Sequence, residues 1–329
     1  MITVKKTHVK IVFILLLALF FVLGFLLNTF LHTKSHQKNK NTEERIYDKK
    51  LQFINPLIEC NEEQAVELRS FKSSTEKTIK ELTQRGFVSE VSVYFRQMND
   101  GLWFDINGYA DFSPASLLKM PLMLAYLKQA EIDPKILNDS LTFTDDFNLY
   151  AKQNIKPEVV IENQKSYTVK DLIGRMIVYS DNSAQAILMN NAGTFWQKPY
   201  IDLGIELPGN EGKENFMSVI EYARFFRVLY NASYLNKYYS NLALGILAES
   251  RFKEGLDFGI PEDIAVAHKF GEREVEGKKQ LHDCGIIYHP DSPYLLCIMT
   301  RGNDFESLKK SIQTISKEVF EEVDSQSKK

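Results

Sequence analysis

The pattern of apolar and polar positions divides the chain into three unequal parts. Residues 11–31 form a 21-residue run without a charge, broken in polarity only by Asn28 and Thr29. At about 1.5 Å per residue, such a helix spans a bilayer core of about 30 Å. The run is apolar on every face and has polar flanks, unlike a buried core helix. It lacks an A-x-A cleavage pattern near Leu26–Leu31, and no cysteine follows closely enough for lipidation. We therefore expect an uncleaved transmembrane anchor at 11–31, preceded by an N-terminal flank at 1–10. Residues 32–50 are charge-rich, show no apolar period and read as a linker. The remainder, 51–329, carries the patterning of a folded domain.

Within that domain, apolar residues spaced among charges from Glu67 to Arg85 predict a surface helix ending at Gly86. Residues 87–95 alternate as a strand should, Asn99-Asp100-Gly101 is a turn signal, and 102–106 forms a returning strand. The middle of the chain is mostly helical. Strands return at 285–288 and 294–300 around a His289-Pro290-Asp291-Ser292-Pro293 turn, and an amphipathic helix covers 305–323. Strands at both ends of a helical middle predict one α+β domain whose antiparallel sheet is closed by both chain ends. There is no internal repeat.

Composition narrows this picture. With the tether removed, about 280 residues remain, enough for one large domain or two intimately packed small ones. Hydrophobic (44%) and charged (25%) fractions are ordinary, so a sizeable core is expected. A net charge of −3 argues against a nucleic-acid partner. The six histidines show no metal spacing, no phosphate-binding glycine loop is present, and neither metal nor organic cofactor is expected. Cys60, Cys284 and Cys297 are too far apart for C-x-x-C chemistry. Cys284 and Cys297 could face each other across a hairpin, but buried free thiols are the expectation. Lys5, Lys6 and Lys10 precede the anchor, whereas Lys34, Lys38, Lys40, Arg45, Lys49 and Lys50 follow it. Charge alone would keep the domain cytoplasmic. The oligomeric state is left open.

The candidate chemistry starts at Ser116-Leu117-Leu118-Lys119, an S-x-x-K. Residues three apart share a helix face, so the Lys119 amine reaches the Ser116 hydroxyl and can take its proton. The same spacing recurs at Ser35, Ser74, Ser250, Ser307 and Ser325, in the linker, on charged helices or near the tail. Only Ser116 opens an almost wholly apolar run, where a lysine needs a reason. Tyr179-Ser180-Asp181-Asn182 holds the chain's single S-D-N, and Lys269-Phe270-Gly271 follows at the end of an apolar stretch. His268, beside Lys269, reads as strand filler. No G-x-S-x-G or H-E-x-x-H motif competes.

In order and spacing these three motifs resemble the signature of the penicillin-recognising serine acyl-enzymes, class A β-lactamases and penicillin-binding proteins. The likeness extends over roughly 55–323. It implies a β-lactamase/transpeptidase-like fold and a serine hydrolase acting on β-lactams or on cell-wall peptides ending in D-alanine. It implies that Ser116 is acylated, Lys119 serves as base and Ser180 relays a proton to the leaving nitrogen. Asn182, Lys269, Phe270, Gly271 and Glu272 would contact substrate, with the N–H groups of Ser116 and Glu272 as oxyanion hole. It also places the catalytic domain outside the cytoplasmic membrane of a bacterium, against the charge rule.

The sequence departs from the family twice. Phe270 replaces the hydroxyl residue of K-T-G, which reads either as an aromatic filling a specialised pocket or as loss of function. The E-x-x-L-N that supplies a deacylating base is missing, and Glu206, Glu211 and Glu214 stand as candidates by type and neighbourhood alone. The rival readings are a low-turnover D,D-peptidase or penicillin-binding protein, and a non-catalytic scaffold on the same fold.

Overall fold

The computed structural model describes residues 53, 64–144, 153–209, 212–275 and 277–328. The expected anchor at 11–31, the linker at 32–50, Cys60 and Glu211 lie outside the described residues. Among the described residues, no helix is long and apolar enough to cross a membrane.

A first helix, α1 (Arg69–Gln84), leads into the hairpin of β1 (Glu90–Gln97) and β2 (Trp103–Ile106). A 3-10 turn, Ala115–Leu118, runs directly into α2 (Lys119–Ala130). A small ribbon of β3 (Ser140–Thr142) and β4 (Ser166–Thr168) follows, then α3 (Val169–Val178), α4 (Asn182–Asn191), α5 (Lys198–Leu203), α6 (Val219–Tyr230) and α7 (Lys237–Ala248). The long strands β5 (Val266–Val275), β6 (Lys278–Ile287) and β7 (Tyr294–Gly302) and the helix α8 (Phe305–Ser327) complete the order. Five strands form one antiparallel sheet, β2-β1-β7-β6-β5. The N-terminal hairpin joins the C-terminal strands through β1 and β7, which is the closure by both ends that the hydropathy pattern predicted.

Alternation along the strands sorts their side chains into two cores. Val91, Val93 and Phe95 of β1, with Leu296 and Ile298 of β7, pack against Phe71 and Leu82 of α1 and Ile312, Ile315 and Val319 of α8. Tyr94, Ala267, Cys284, Ile286, Leu295 and Met299 belong instead to the core of the helical middle. There α2 is buried along almost its whole length, which is why its sequence is apolar all round.

Two expectations change. The strand expected at 285–288 starts seven residues earlier, at Lys278. Its first half is polar in sequence because Gln280 and His282 are buried hydrogen-bonding residues rather than apolar ones. Gln280 accepts from Ser113 N (3.0 Å) and donates to Asn215 Oδ1 (2.8 Å). The expectation of free thiols is overturned: Cys284 and Cys297 stand directly opposite each other in the β6–β7 register and form a disulfide. The turn between the strands sets that register, which sequence spacing alone did not decide.

The disulfide gives a direct test. The denatured, unreduced chain should take up one alkyl group by mass spectrometry, on Cys60, and three after reduction. Closing a loop of this length is worth about 3 kcal/mol in the chain-entropy account. The Cys284→Ser/Cys297→Ser chain should lose about that much stability in guanidinium denaturation.

Candidate active site

The site forms where the 3-10 turn, the turn before α4 and the edge strand β5 converge. Ser116 lies on the 3-10 turn and Lys119 is the first residue of α2. In a 3-10 turn residues i and i+3 eclipse, so the pairing expected from a helix holds even more directly. Lys119 Nζ is 2.9 Å from Ser116 Oγ. The turn is braced from three sides. Tyr222 of α6 donates its hydroxyl to Leu117 O (3.1 Å), and His282 of β6 holds Ser113 O at 2.9 Å. Burial pushes His282 down to about 4, so it is neutral, donating from Nε2 while Nδ1 accepts from Thr300 N (3.3 Å). On the third side Gly271 of β5 passes so close that a Cβ there would stand 2.7 Å from Pro114 O and 3.1 Å from Leu117 N. Only glycine fits.

The S-D-N turn divides its labour. Asp181 is buried and caps α4, accepting from Ser183 N (2.8 Å) and Ala184 N (3.0 Å). Ser180 sits in the left-handed region at φ 55°, as does Ala115 at φ 49° immediately before the nucleophile. Lys119 Nζ meets Ser180 O at 2.7 Å, Ser180 Oγ at 3.0 Å and Asn182 Oδ1 at 2.6 Å. With Ser116 Oγ, four oxygens surround one nitrogen.

That count constrains the protonation state. A neutral amine has two N–H bonds and one lone pair. Ser180 O and Asn182 Oδ1 can only accept and take both N–H bonds, leaving the lone pair for a hydroxyl proton. Burial, and then the charge of Lys269, hold the Lys119 pKa well below the usual lysine range. The neutral amine facing the Ser116 hydroxyl is therefore the state that the surroundings favour, and it is the state a base requires.

Lys269 is buried on β5 and donates to Ser180 Oγ (2.9 Å) and Phe270 O (2.9 Å). Burial lowers its pKa to about 7, against the opposing pull of Asp283 and Glu272. Behind it, His268 is more than strand filler. Its Nδ1 is 2.8 Å from Asp283 Oδ1, and its Nε2 is 2.8 Å from Asp257 Oδ1 but off the N–H axis, an ionic contact. Burial alone would lower its pKa, but Asp283 and Asp257 together push it to about 9. Asp283 also accepts from Leu256 N (2.8 Å). The cluster thus clasps the 252–257 segment onto the sheet and sets a carboxylate behind Lys269.

A sequence model of the beta-lactamase enzyme family matches residues 74–323. The chain belongs to that family. Its fold aligns with PBP-A at TM-score 0.65 and 20% identity, covering 81% of this chain and 99% of that one. A PBP-A acyl-enzyme complex with penicillin G aligns at TM-score 0.64 and 19% identity, covering 77% and 97%. A beta-lactamase from Chitinophaga pinensis aligns at TM-score 0.65 and 20% identity, covering 76% and 99%. Identities this low carry the fold alone. No curated protein sequence matches the chain.

For a member of the beta-lactamase family, the carboxylates around the cleft are unusually placed. The cleft measures about 1040 Å³ and is lined by Ser116, Asn182, Phe270, Glu272 and Glu214 among others. Glu214 is held by Arg273 Nε (2.6 Å) and Ser113 Oγ (3.1 Å), with its pKa lowered first by the Arg273 hydrogen bond. Glu206 is half-buried and does not line the cleft. Neither described candidate base contacts Ser116. Phe270 stacks on Phe252 at 4.2 Å, with Lys269 Nζ 4.1 Å over its ring. Gln153 and Asn154 also line the cleft, and no sequence signal marked them. Among the described residues no group of side chains could hold a metal ion.

The Asp257–His268–Asp283 cluster has a measurable pH signature. The raised His268 pKa contributes stability in full below the ordinary value of 6.5 and loses it as pH rises through about 9. His268 also holds Asp257 below its ordinary 3.8 against the upward pull of burial, a contribution lost as pH falls through that lowered value. His268→Gln leaves two buried carboxylates without their cation and should cost about 3–5 kcal/mol. Urea denaturation should show that loss at pH 5–6 and a much smaller one above about pH 9.

Proposed function

We propose that this chain is a membrane-anchored serine hydrolase of the class A β-lactamase type, acting outside the cytoplasm, that forms an acyl-enzyme on Ser116 from a β-lactam or a D-alanyl peptide. The observation that carries the reading is the buried amine of Lys119 at 2.9 Å from Ser116 Oγ. Lys119 takes the hydroxyl proton as Oγ attacks the carbonyl carbon. The N–H groups of Ser116 and Glu272 receive the oxyanion, each donor worth about 3 kcal/mol. Ser180, bonded to both lysines, passes a proton to the leaving nitrogen as the C–N bond breaks, and is resupplied through Lys119. An ester on Ser116 and a free amine remain. Asn182 would hold the substrate amide, and Lys269 maintains positive charge beside Ser180.

Anchoring rests on the uncharged run at 11–31. An exported domain is favoured by the Cys284–Cys297 disulfide, since such bonds persist in oxidising compartments. Protease added to spheroplasts should digest the domain, and full protection would refute the orientation.

Slow release, the behaviour of a penicillin-binding protein or low-turnover D,D-peptidase, is favoured by one observation. Glu214 is tied into an ion pair, and Glu206 does not line the cleft. General-base help is worth about 10²–10⁴-fold, so lacking it only in hydrolysis lets the ester accumulate. A scaffold would have no need for Ser116, Lys119, Ser180, Asn182 and Lys269 to converge on one hydrogen-bonded group.

A fluorescent penicillin should label Ser116 in a burst of one equivalent followed by slow turnover. Ser116→Ala should abolish the label, and Lys119→Ala should slow it by about 10²–10⁴-fold with the fold intact by circular dichroism. Labelling should weaken above about pH 7, where Lys269 loses its charge. Label on another serine, or fast burst-free turnover, would refute the assignment.

A further inference from the structure

Glu272 was expected to matter through its backbone N–H. Its side chain carries a second message. It follows Gly271, which is pressed against the Ser116 turn, so its carboxyl stands one residue from the nucleophile's support. Oε1 accepts from Asn154 N (2.8 Å) and Ile155 N (2.9 Å), which fastens the loop at 153–155 to β5. Gln153 of the same loop donates to Ser180 O at 3.3 Å. The Glu272 side chain therefore bridges from the edge strand to a loop that also touches the S-D-N turn. Its other oxygen, Oε2, is buried and has no hydrogen-bond partner. A buried, unpartnered carboxylate oxygen in a substrate cleft calls for a donor from the substrate.

The neighbouring groups offer an anion little in return. Phe270 contributes a ring and no hydroxyl, and that ring is stacked on Phe252. Lys269 already donates to Ser180 Oγ and Phe270 O. Arg273 is paired with Glu214. Lys213 lines the same cleft on the segment that carries Glu214, and Glu274 lies on β5 beyond Arg273.

We propose that Glu272 sets the substrate class of this cleft: it accepts acyl donors that present an amide N–H or an ammonium group beside the scissile bond, and rejects those that carry a carboxylate there. This rests on the acyl-transfer reading of Ser116, but its test does not require acylation. In the full-length Ser116→Ala chain, calorimetry is run with three matched ligands: acetyl-D-alanyl-D-alanine, its carboxamide, and its aminoethylamide. The carboxamide and the amine should bind roughly tenfold or more tightly than the carboxylate. Adding Glu272→Gln should bring the three to within about twofold of one another, and Glu272→Ser, which leaves no amide in the loop contact, should do the same. Equal or tighter binding of the carboxylate, discrimination that survives both substitutions, or no binding by any of the three would overturn the proposal. If the discrimination holds while Ser116 of the unmutated chain takes no label from any penicillin or its carboxamide, the acyl-transfer reading fails and the selectivity of Glu272 stands.

Discussion

Everything around Ser116 is arranged about a nitrogen that has no access to water. Lys119 is fully buried, so each of its hydrogen-bonding directions must be met by protein. Meeting them takes a hydroxyl from its own turn, a carbonyl and a hydroxyl from Ser180, and an amide oxygen from Asn182. That requirement draws the helical middle and the sheet to a common point. Ser180 must also serve Lys269, which reaches it from the edge strand. Two amines then share one serine, and each disfavours the charged form of the other.

The frame that holds this arrangement is itself polar. Gln280 and His282 fasten the segment before the nucleophile to β6, and Asp283 on the same strand faces His268 of β5. The charge balance is local: the imidazolium of His268 answers two carboxylates, and one of these, Asp283, supports the charge of Lys269. Removing a member therefore disturbs both the packing of the 252–257 segment and the electrostatics one residue away. A core of this kind depends on complete pairing, because a partly satisfied network is costlier than an apolar one.

What could be read from the sequence follows from these physical demands. A lysine within the apolar run after Ser116 has to be paired, which is why that S-x-x-K stood apart from five others. Alternation marked β1, β2 and β7 because their inward residues are apolar. It failed over Lys278–His282, where the inward residues are Gln280 and His282 and their partners come from a segment over 160 residues away. The same reason hid the role of His268, whose partners Asp257 and Asp283 show no spacing in one dimension. The Cys284–Cys297 bond depended on strand register. The side chain of Glu272 was unreadable because its partners are backbone N–H groups, which any residue supplies.

The left-handed backbone at Ala115 and Ser180 has a consequence for how such a chain can change. Both residues carry a side chain in a conformation that only glycine adopts without strain, at about 1–3 kcal/mol each. Replacing either with glycine would relieve the strain in the folded chain. It would also free the two turns that aim Ser116 and Ser180 at Lys119. Selection for a sturdier fold and selection for a faster enzyme therefore pull these two positions in opposite directions, and a lineage that drifted toward glycine here would be trading its chemistry for its persistence.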